Sequence, residues 1–61
     1  MANLAYFKIY TDASGQYRWR FTATNGEILA VSSESYVRKA DCEHAIVLLK
    51  RDAPSAPVLQ P

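Results

Sequence analysis

The 61-residue sequence predicts an α+β domain in which a three-stranded antiparallel sheet is followed by one C-terminal helix packed on one face. Three observations lead to this prediction. Two early segments are rich in aromatic and β-branched residues, as strands are. The dipeptide Asn25-Gly26, which follows them, is a strong hairpin signal. A later segment has apolar residues at helical spacing.

The first strand is predicted over residues 5–11, where every residue from Tyr6 to Tyr10 except Lys8 is aromatic or β-branched. A turn follows and ends at Gly15. If this loop has an odd number of residues, Phe7 and Ile9 face the core; an even number would bury Lys8 instead. We therefore expect an odd loop with a bulge at Gly15.

The second strand is predicted over residues 16–23, which alternate between apolar and polar side chains. Tyr17, Trp19 and Phe21 then share one face, and the arginines lie on the other. A two-residue type I′ turn at Asn25-Gly26 predicts a third strand over residues 27–32. In that register three pairs lie on the Trp19 face: Phe21 with Ala30, Trp19 with Ser32, and Ala23 with Ile28.

The helix is predicted over residues 37–51. Its apolar stripe, at the i, i+3, i+4, i+7 spacing, consists of Cys42, Ala45, Ile46 and Leu49. We expect this stripe to cover the Trp19 face of the sheet. Pro54 ends the helix. The predicted organisation is one domain over residues 1–53 and a Pro-rich flexible tail over residues 54–61.

The composition excludes several classes of support and partner. The single cysteine cannot form an internal disulfide, and one cysteine with one histidine cannot build a structural zinc site. We expect no metal and no cofactor, so a partner subunit is the support left for so small a core, and a homodimer is expected. No membrane span or secretory signal is evident, and the lone thiol favours a cytoplasmic location. The net charge of +1 gives no general attraction to nucleic acid.

Several strings of the sequence resemble the YegP-like family of small bacterial domains of unknown function. They are Tyr6-Phe7-Lys8-Ile9-Tyr10, Gly15-Gln16-Tyr17-Arg18-Trp19-Arg20, Asn25-Gly26-Glu27-Ile28, Ser33-Glu34-Ser35-Tyr36, Lys39-Ala40 and Ile46. The resemblance implies a strand-strand-strand-helix unit that occurs as a tandem pair or as a homodimer. It brings no catalytic residue, cofactor or ligand.

The chain also departs from the family pattern. Val37-Arg38 replaces a usual Ser-Ser pair, so the helix lacks its preferred N-cap unless Ser35 serves. Val47 and Leu48 stand where polar residues are usual. They mark either an interface or scattered surface apolar residues.

One set of residues is a candidate binding face, because the predicted register puts its members on the face opposite Trp19: Tyr6, Lys8, Tyr10, Arg18 and Arg20. Cations interleaved with aromatic rings can bind single-stranded nucleic acid. The alternative is a solvated or dimer-buried face with arginine stacked on tyrosine. The near-neutral charge favours this alternative.

The remaining candidates have structural interpretations. Cys42 is expected to be a buried apolar residue rather than a redox thiol, and Trp19 to be core rather than a ligand platform. His44 is expected on the surface, since no nucleophile stands at a fixed spacing from it. With no catalytic pair and no evident small-molecule substrate, we expect a non-enzymatic, homodimeric binding or structural module. Weak nucleic-acid binding is the alternative.

Overall fold

The computed structural model of the chain describes residues 4–61. Its strands are β1 (Tyr6–Thr11), β2 (Tyr17–Thr22) and β3 (Ile28–Val31), and they form one antiparallel sheet in the order β1-β2-β3. The helix α1 (Lys39–Asp52) packs over β1 and β2. The predicted α+β fold, a three-stranded sheet with one C-terminal helix, is confirmed.

The loop between β1 and β2 has three residues, 13–15, as the odd-loop argument requires. The Asp12 N–H donates to the Gln16 carbonyl (2.9 Å), and Gly15, at φ +81°, provides the left-handed residue that closes the turn. Phe7 consequently lies opposite Phe21, and both are on the helix side of the sheet with Trp19.

The second hairpin corrects the predicted type I′ turn. Only Gly26 has a positive φ (+91°), whereas Asn25 does not. The Gly26 N–H donates to the Ala23 carbonyl (2.9 Å), and the Ala23 N–H donates to the Glu27 carbonyl (2.7 Å). The loop therefore contains three residues, 24–26. A type I′ turn needs a positive φ at both of its central residues, whereas this loop has one only at Gly26.

A β-bulge in this hairpin corrects the predicted position of Ile28. Ile28 pairs with Thr22 rather than with Ala23, and the register then shifts so that Ala30 pairs with Phe21 as predicted. Leu29 lies between these pairs without a partner on β2. The extra loop residue moves Ile28 to the arginine face, and the bulge restores the expected register beyond it.

The core lies between α1 and the inner surface of β1 and β2. Trp19 is 8% exposed and Cys42 is fully buried. The Phe7 ring meets Trp19 edge-on, with 5.6 Å between ring centroids, and lies 4.7 Å from the Phe21 centroid. The prediction that Trp19 is core beneath the helix is confirmed.

The helix begins at Lys39 without a side-chain cap on its first N–H groups. Ser35 does not provide one, because its hydroxyl hydrogen-bonds to the side chain of Gln16. After α1 the chain continues into a short 3₁₀ helix, η1 (Ala53–Ser55), which contains Pro54. Residues 56–61 have no regular secondary structure and are exposed. Within residues 4–61 no helix combines the length and apolarity needed to cross a membrane.

Candidate interaction surfaces

The outer face of the sheet, on the side away from α1, carries the whole candidate binding face. Residues at alternate positions of β1 and their partners on β2 place these side chains together: Tyr6, Lys8, Tyr10, Arg18 and Arg20. Ile28 and Val31 join them from β3, since they pair with Thr22 and Arg20. The face is therefore basic and aromatic over β1 and β2 but apolar along β3.

The charge of Arg18 is engaged by the first loop. Its Nε donates to Asp12 at 2.9 Å, and the same carboxylate accepts hydrogen bonds from the Ser14 hydroxyl (2.6 Å) and the Gln16 N–H (3.1 Å). The Ser14 hydroxyl and then Arg18 hold the pKa of Asp12 well below its usual range. Arg18 therefore contributes to the order of the loop and little to the potential of the outer face.

Arg20 is engaged by an aromatic ring. Its guanidinium carbon lies 4.6 Å from the Tyr10 ring centroid, in a cation-π contact. Arg20 is half-buried, and its Nε is inaccessible to water without a hydrogen-bond partner. Because Arg20 and Tyr10 stack on each other, Lys8 and Tyr6 are the more exposed members of the candidate binding face.

The other residues that the sequence singled out do not form a reactive cluster. Burial, with a contribution from Glu43, raises the pKa of the Cys42 thiol, so the reactive thiolate is disfavoured. His44 is exposed on α1. Across residues 4–61 no three histidine, cysteine or acidic side chains are grouped so that they could hold a metal ion. Val47 is 57% exposed, whereas Leu48 is half-buried.

The apolar exposure of the predicted third strand, β3, was not expected from the sequence. All four of its residues are exposed, and Ile28, Leu29 and Val31 are each more than half exposed although all are apolar. The helix packs over β1 and β2 rather than over this strand. The signal in the sequence was the unbroken apolar run Ile28 to Val31, which lacks the alternation of a strand with one solvated face.

An apolar groove, here called the inner groove, runs between the end of α1 and the β3 side of the sheet. Its volume is about 520 Å³. The lining side chains are almost all apolar: Phe7, Trp19, Phe21, Ala30, Leu49, Ala53 and Pro54, with Lys50 at the rim. The indole Nε1 of Trp19 is buried there without a hydrogen-bond partner. Ala30 is the residue of β3 that contributes to this groove, whereas Ile28 and Val31 lie on the outer face of the same strand.

Comparison with known proteins gives the same fold and no activity. A UPF0339 protein of Neisseria meningitidis serogroup B is 51% identical over 53 residues, which are 87% of this chain and 93% of that protein. A UPF0339 protein of Agrobacterium fabrum is 50% identical over 50 residues, which are 82% and 79% of the two chains. The NMR solution structure of a protein from Haloferax volcanii superposes with a TM-score of 0.85 at 42% identity, and covers 97% of this chain and 98% of that one.

The family model described as Domain of unknown function (DUF1508) matches residues 12–60, which include most of the segment after η1. That description, like those of the UPF0339 relatives, gives no activity. The resemblance drawn from the strand and turn motifs is therefore confirmed: the chain belongs to the DUF1508 family, the YegP-like family of unknown function.

Proposed function

We propose that the chain acts as a homodimeric, non-catalytic binding or structural module in which the β3 strands of two copies pair across a two-fold axis. The two sheets then become one six-stranded antiparallel sheet. The observation that supports this most directly is the exposed, wholly apolar edge strand β3. An uncovered strand of this kind is a template for pairing with another chain, and monomers usually blunt it with charges.

The backbone of β3 can make the pairing. The Ser32 N–H donates to the Trp19 carbonyl at 2.9 Å, toward β2. Because the polar groups of an antiparallel strand alternate in direction, those of Val31 point to the open side. A second β3 can therefore meet free donors and acceptors as well as apolar side chains.

The area that a stable dimer needs can be compared with the surface of the chain. A stable interface of standard size buries about 800 Å² on each partner, about a sixth of the 5042 Å² surface of the chain. Ile28, Leu29 and Val31 are the largest exposed apolar group on the sheet. The cross-strand neighbours they would gain supplement a core in which only Trp19 and Cys42 are buried among the apolar residues described.

The lining of the inner groove supports a non-catalytic role. The inner groove is lined by apolar side chains, and its only ionisable member is Lys50 at the rim. Catalysis needs groups that donate, accept or attack in a defined mutual geometry. The groove can bind apolar groups but offers no such set. The expected cytoplasmic location accompanies this proposal.

Nucleic-acid binding has weaker support. Its five residues share the outer face, but Arg18 is paired with Asp12 and Arg20 lies against Tyr10. Phosphate contacts need cations free to release counterions. A titration with a single-stranded oligonucleotide at 50 mM salt would support binding only if affinity were measurable and were reduced by Arg18→Ala with Arg20→Ala.

The dimer is tested by Leu29→Lys in sedimentation equilibrium. Leu29 is 61% exposed, so burying this exposed part in the dimer contributes roughly 1–2 kcal/mol per copy to the free energy of association. With two copies in the interface we expect the dimer Kd to rise about 30-fold or more. A folded wild-type monomer at micromolar concentration would refute the proposal.

Two matched variants locate the interface. Val37→Lys adds the same charge at a residue that is 77% exposed and outside β3, and we expect no change in Kd. Val47→Lys tests the alternative surface of Val47 and Leu48 on α1. Dissociation by Val47→Lys with an unaffected Leu29→Lys dimer would move the interface from the strand to the helix.

A further inference from the structure

A small pocket, here called the outer pocket, lies on the outer face of the sheet and extends across its three strands. Its volume is about 200 Å³, and its lining residues are Tyr6, Lys8, Arg20, Thr22, Gly26 and Ile28. We propose that the outer pocket binds a phosphate monoester, with the phosphate against Lys8 and Arg20 and the organic part against Tyr6 and Ile28. The site lies within one copy of the chain and does not depend on pairing along β3.

The two cations of the outer pocket are direct neighbours. Lys8 and Arg20 are cross-strand partners in the register of β1 and β2, so their Cβ atoms are about 5 Å apart. Like charges directly opposite each other destabilise a sheet. None of the described residues that line the pocket is acidic, and Glu27, which follows Gly26 in the chain, is exposed outside the lining. A bound anion would therefore neutralise a repulsion that the fold leaves in place.

The two arginines of this face differ in their partners. Arg18 is paired with Asp12 at 2.9 Å. In the part of the chain that the structure describes, Arg20 has no carboxylate within ion-pair distance, and its Nε has no hydrogen-bond partner. The contact with Tyr10 uses the flat face of the guanidinium, whereas the N–H donors of its terminal Nη groups lie along its edge. Arg20 can therefore stack on the ring and still bind an anion at its edge.

The charge of the lining suits a dianion. A single carboxylate satisfies Arg18, but the outer pocket holds two adjacent cations. A phosphate monoester carries a charge of about −1.5 to −2 at neutral pH and has three strong acceptor oxygens. Lysine and arginine are both common phosphate ligands in proteins. Tyr6 and Thr22 also add a hydroxyl group each to the lining.

The apolar part of the lining indicates that the phosphate carries an organic group. Tyr6 is 52% exposed and Ile28 is 53% exposed, and both line the pocket. A ring or aliphatic group attached to the phosphate would cover these surfaces, whereas inorganic phosphate would not. A nucleic-acid strand fits less well, because each diester phosphate carries one charge and Arg18, a neighbouring cation on this face, is already paired.

Phenyl phosphate is the probe, titrated into the ¹⁵N-labelled chain at neutral pH and low ionic strength. We expect saturable shifts of the amides of Lys8, Arg20 and Ile28. Phenyl sulfate has the same ring but a single charge, and it should bind about tenfold more weakly. Equal affinity for the two compounds, or shifts that do not saturate, would overturn the proposal.

Matched variants locate the site. Arg20→Gln and Lys8→Gln should each raise the Kd for phenyl phosphate by about tenfold. Lys39→Gln removes the same charge from an exposed lysine on α1, and its Kd should stay within about threefold of wild type. Lys8 is also exposed, so Lys8→Gln tests the site even where Arg20→Gln lowers the stability. Equal losses in Lys8→Gln and Lys39→Gln would mean general attraction to positive charge and would refute a site in the outer pocket.

A single-stranded oligonucleotide without terminal phosphates separates the monoester from nucleic acid, because it offers diesters alone. We expect it to bind more weakly than phenyl phosphate under the same conditions. Tighter binding that is lost in Lys8→Gln would assign the face to nucleic acid and overturn the proposal. Sedimentation of Lys8→Gln should give an unchanged dimer Kd, so loss of phosphate binding and loss of the dimer are separate outcomes.

Discussion

Ser32 provides the sharpest test of how the sheet is held together. It is 5% exposed, and its hydroxyl accepts a hydrogen bond from the Trp19 backbone N–H (3.2 Å), in the place of a regular ladder carbonyl. Ser32→Ala removes this acceptor and leaves a buried N–H unpaired. The expected loss is about 1–3 kcal/mol. For a domain of this length, whose total stability is roughly 3–9 kcal/mol, that is a large fraction.

The assay is urea unfolding followed by the fluorescence of Trp19, the single tryptophan, at one protein concentration for all variants. Ser33→Ala, at an exposed neighbour, should change the free energy of unfolding by less than about 0.5 kcal/mol. Hydrogen exchange should show faster exchange of the Trp19 amide in Ser32→Ala alone. If Ser32→Ala were as stable as Ser33→Ala, the hydroxyl would not be a needed acceptor and the reasoning would be wrong.

Two further predictions concern the loops. Gly26→Ala should destabilise the domain by about 1–2 kcal/mol, because the φ of Gly26 is +91°. An added Cβ would meet nothing within 4 Å, so the cost is conformational rather than steric. Urea unfolding measures this loss, and an unchanged midpoint would contradict the left-handed assignment. Folding lowers the pKa of Asp12. The ionised carboxylate therefore adds to the free energy of unfolding above the unfolded pKa of about 3.9, and this contribution is lost as the pH falls below that value. Asp12→Asn should therefore show a smaller drop in urea midpoint between pH 6 and pH 3 than wild type, and an identical drop would contradict this.

The sequence predicted those parts of the fold that depend on side-chain alternation. An odd first loop was the only arrangement that kept Lys8 out of the core, and the observed register of Phe7 with Phe21 follows from it. The five residues of the candidate binding face were brought to one face by the same rule. Their engagement was not predictable, because the Asp12 to Arg18 contact depends on side-chain conformations across a loop.

The error at Ile28 has a different origin. Asn-Gly is compatible with a two-residue turn and with a three-residue loop that ends in a left-handed glycine, and local sequence does not choose between them. The bulge at Leu29 then compensates, so that Ala30 pairs with Phe21 in either case. One loop residue thus changed the face of Ile28 without disturbing the register that forms the core.

The exposed edge follows from the width of the two layers. A helix with its side chains is about 10–12 Å across, and three strands span about 14 Å between their outer sides. One helix therefore covers two strands well, and in this chain it lies over β1 and β2. The third strand could be accommodated in a monomer by polar or charged side chains, but Leu29 and Val31 are apolar and more than half exposed. A second copy that pairs along β3, as proposed, would extend the sheet beyond this edge and give these side chains cross-strand neighbours. In the proposed dimer, pairing along β3 is therefore better viewed as the completion of the fold than as a later addition to a finished monomer.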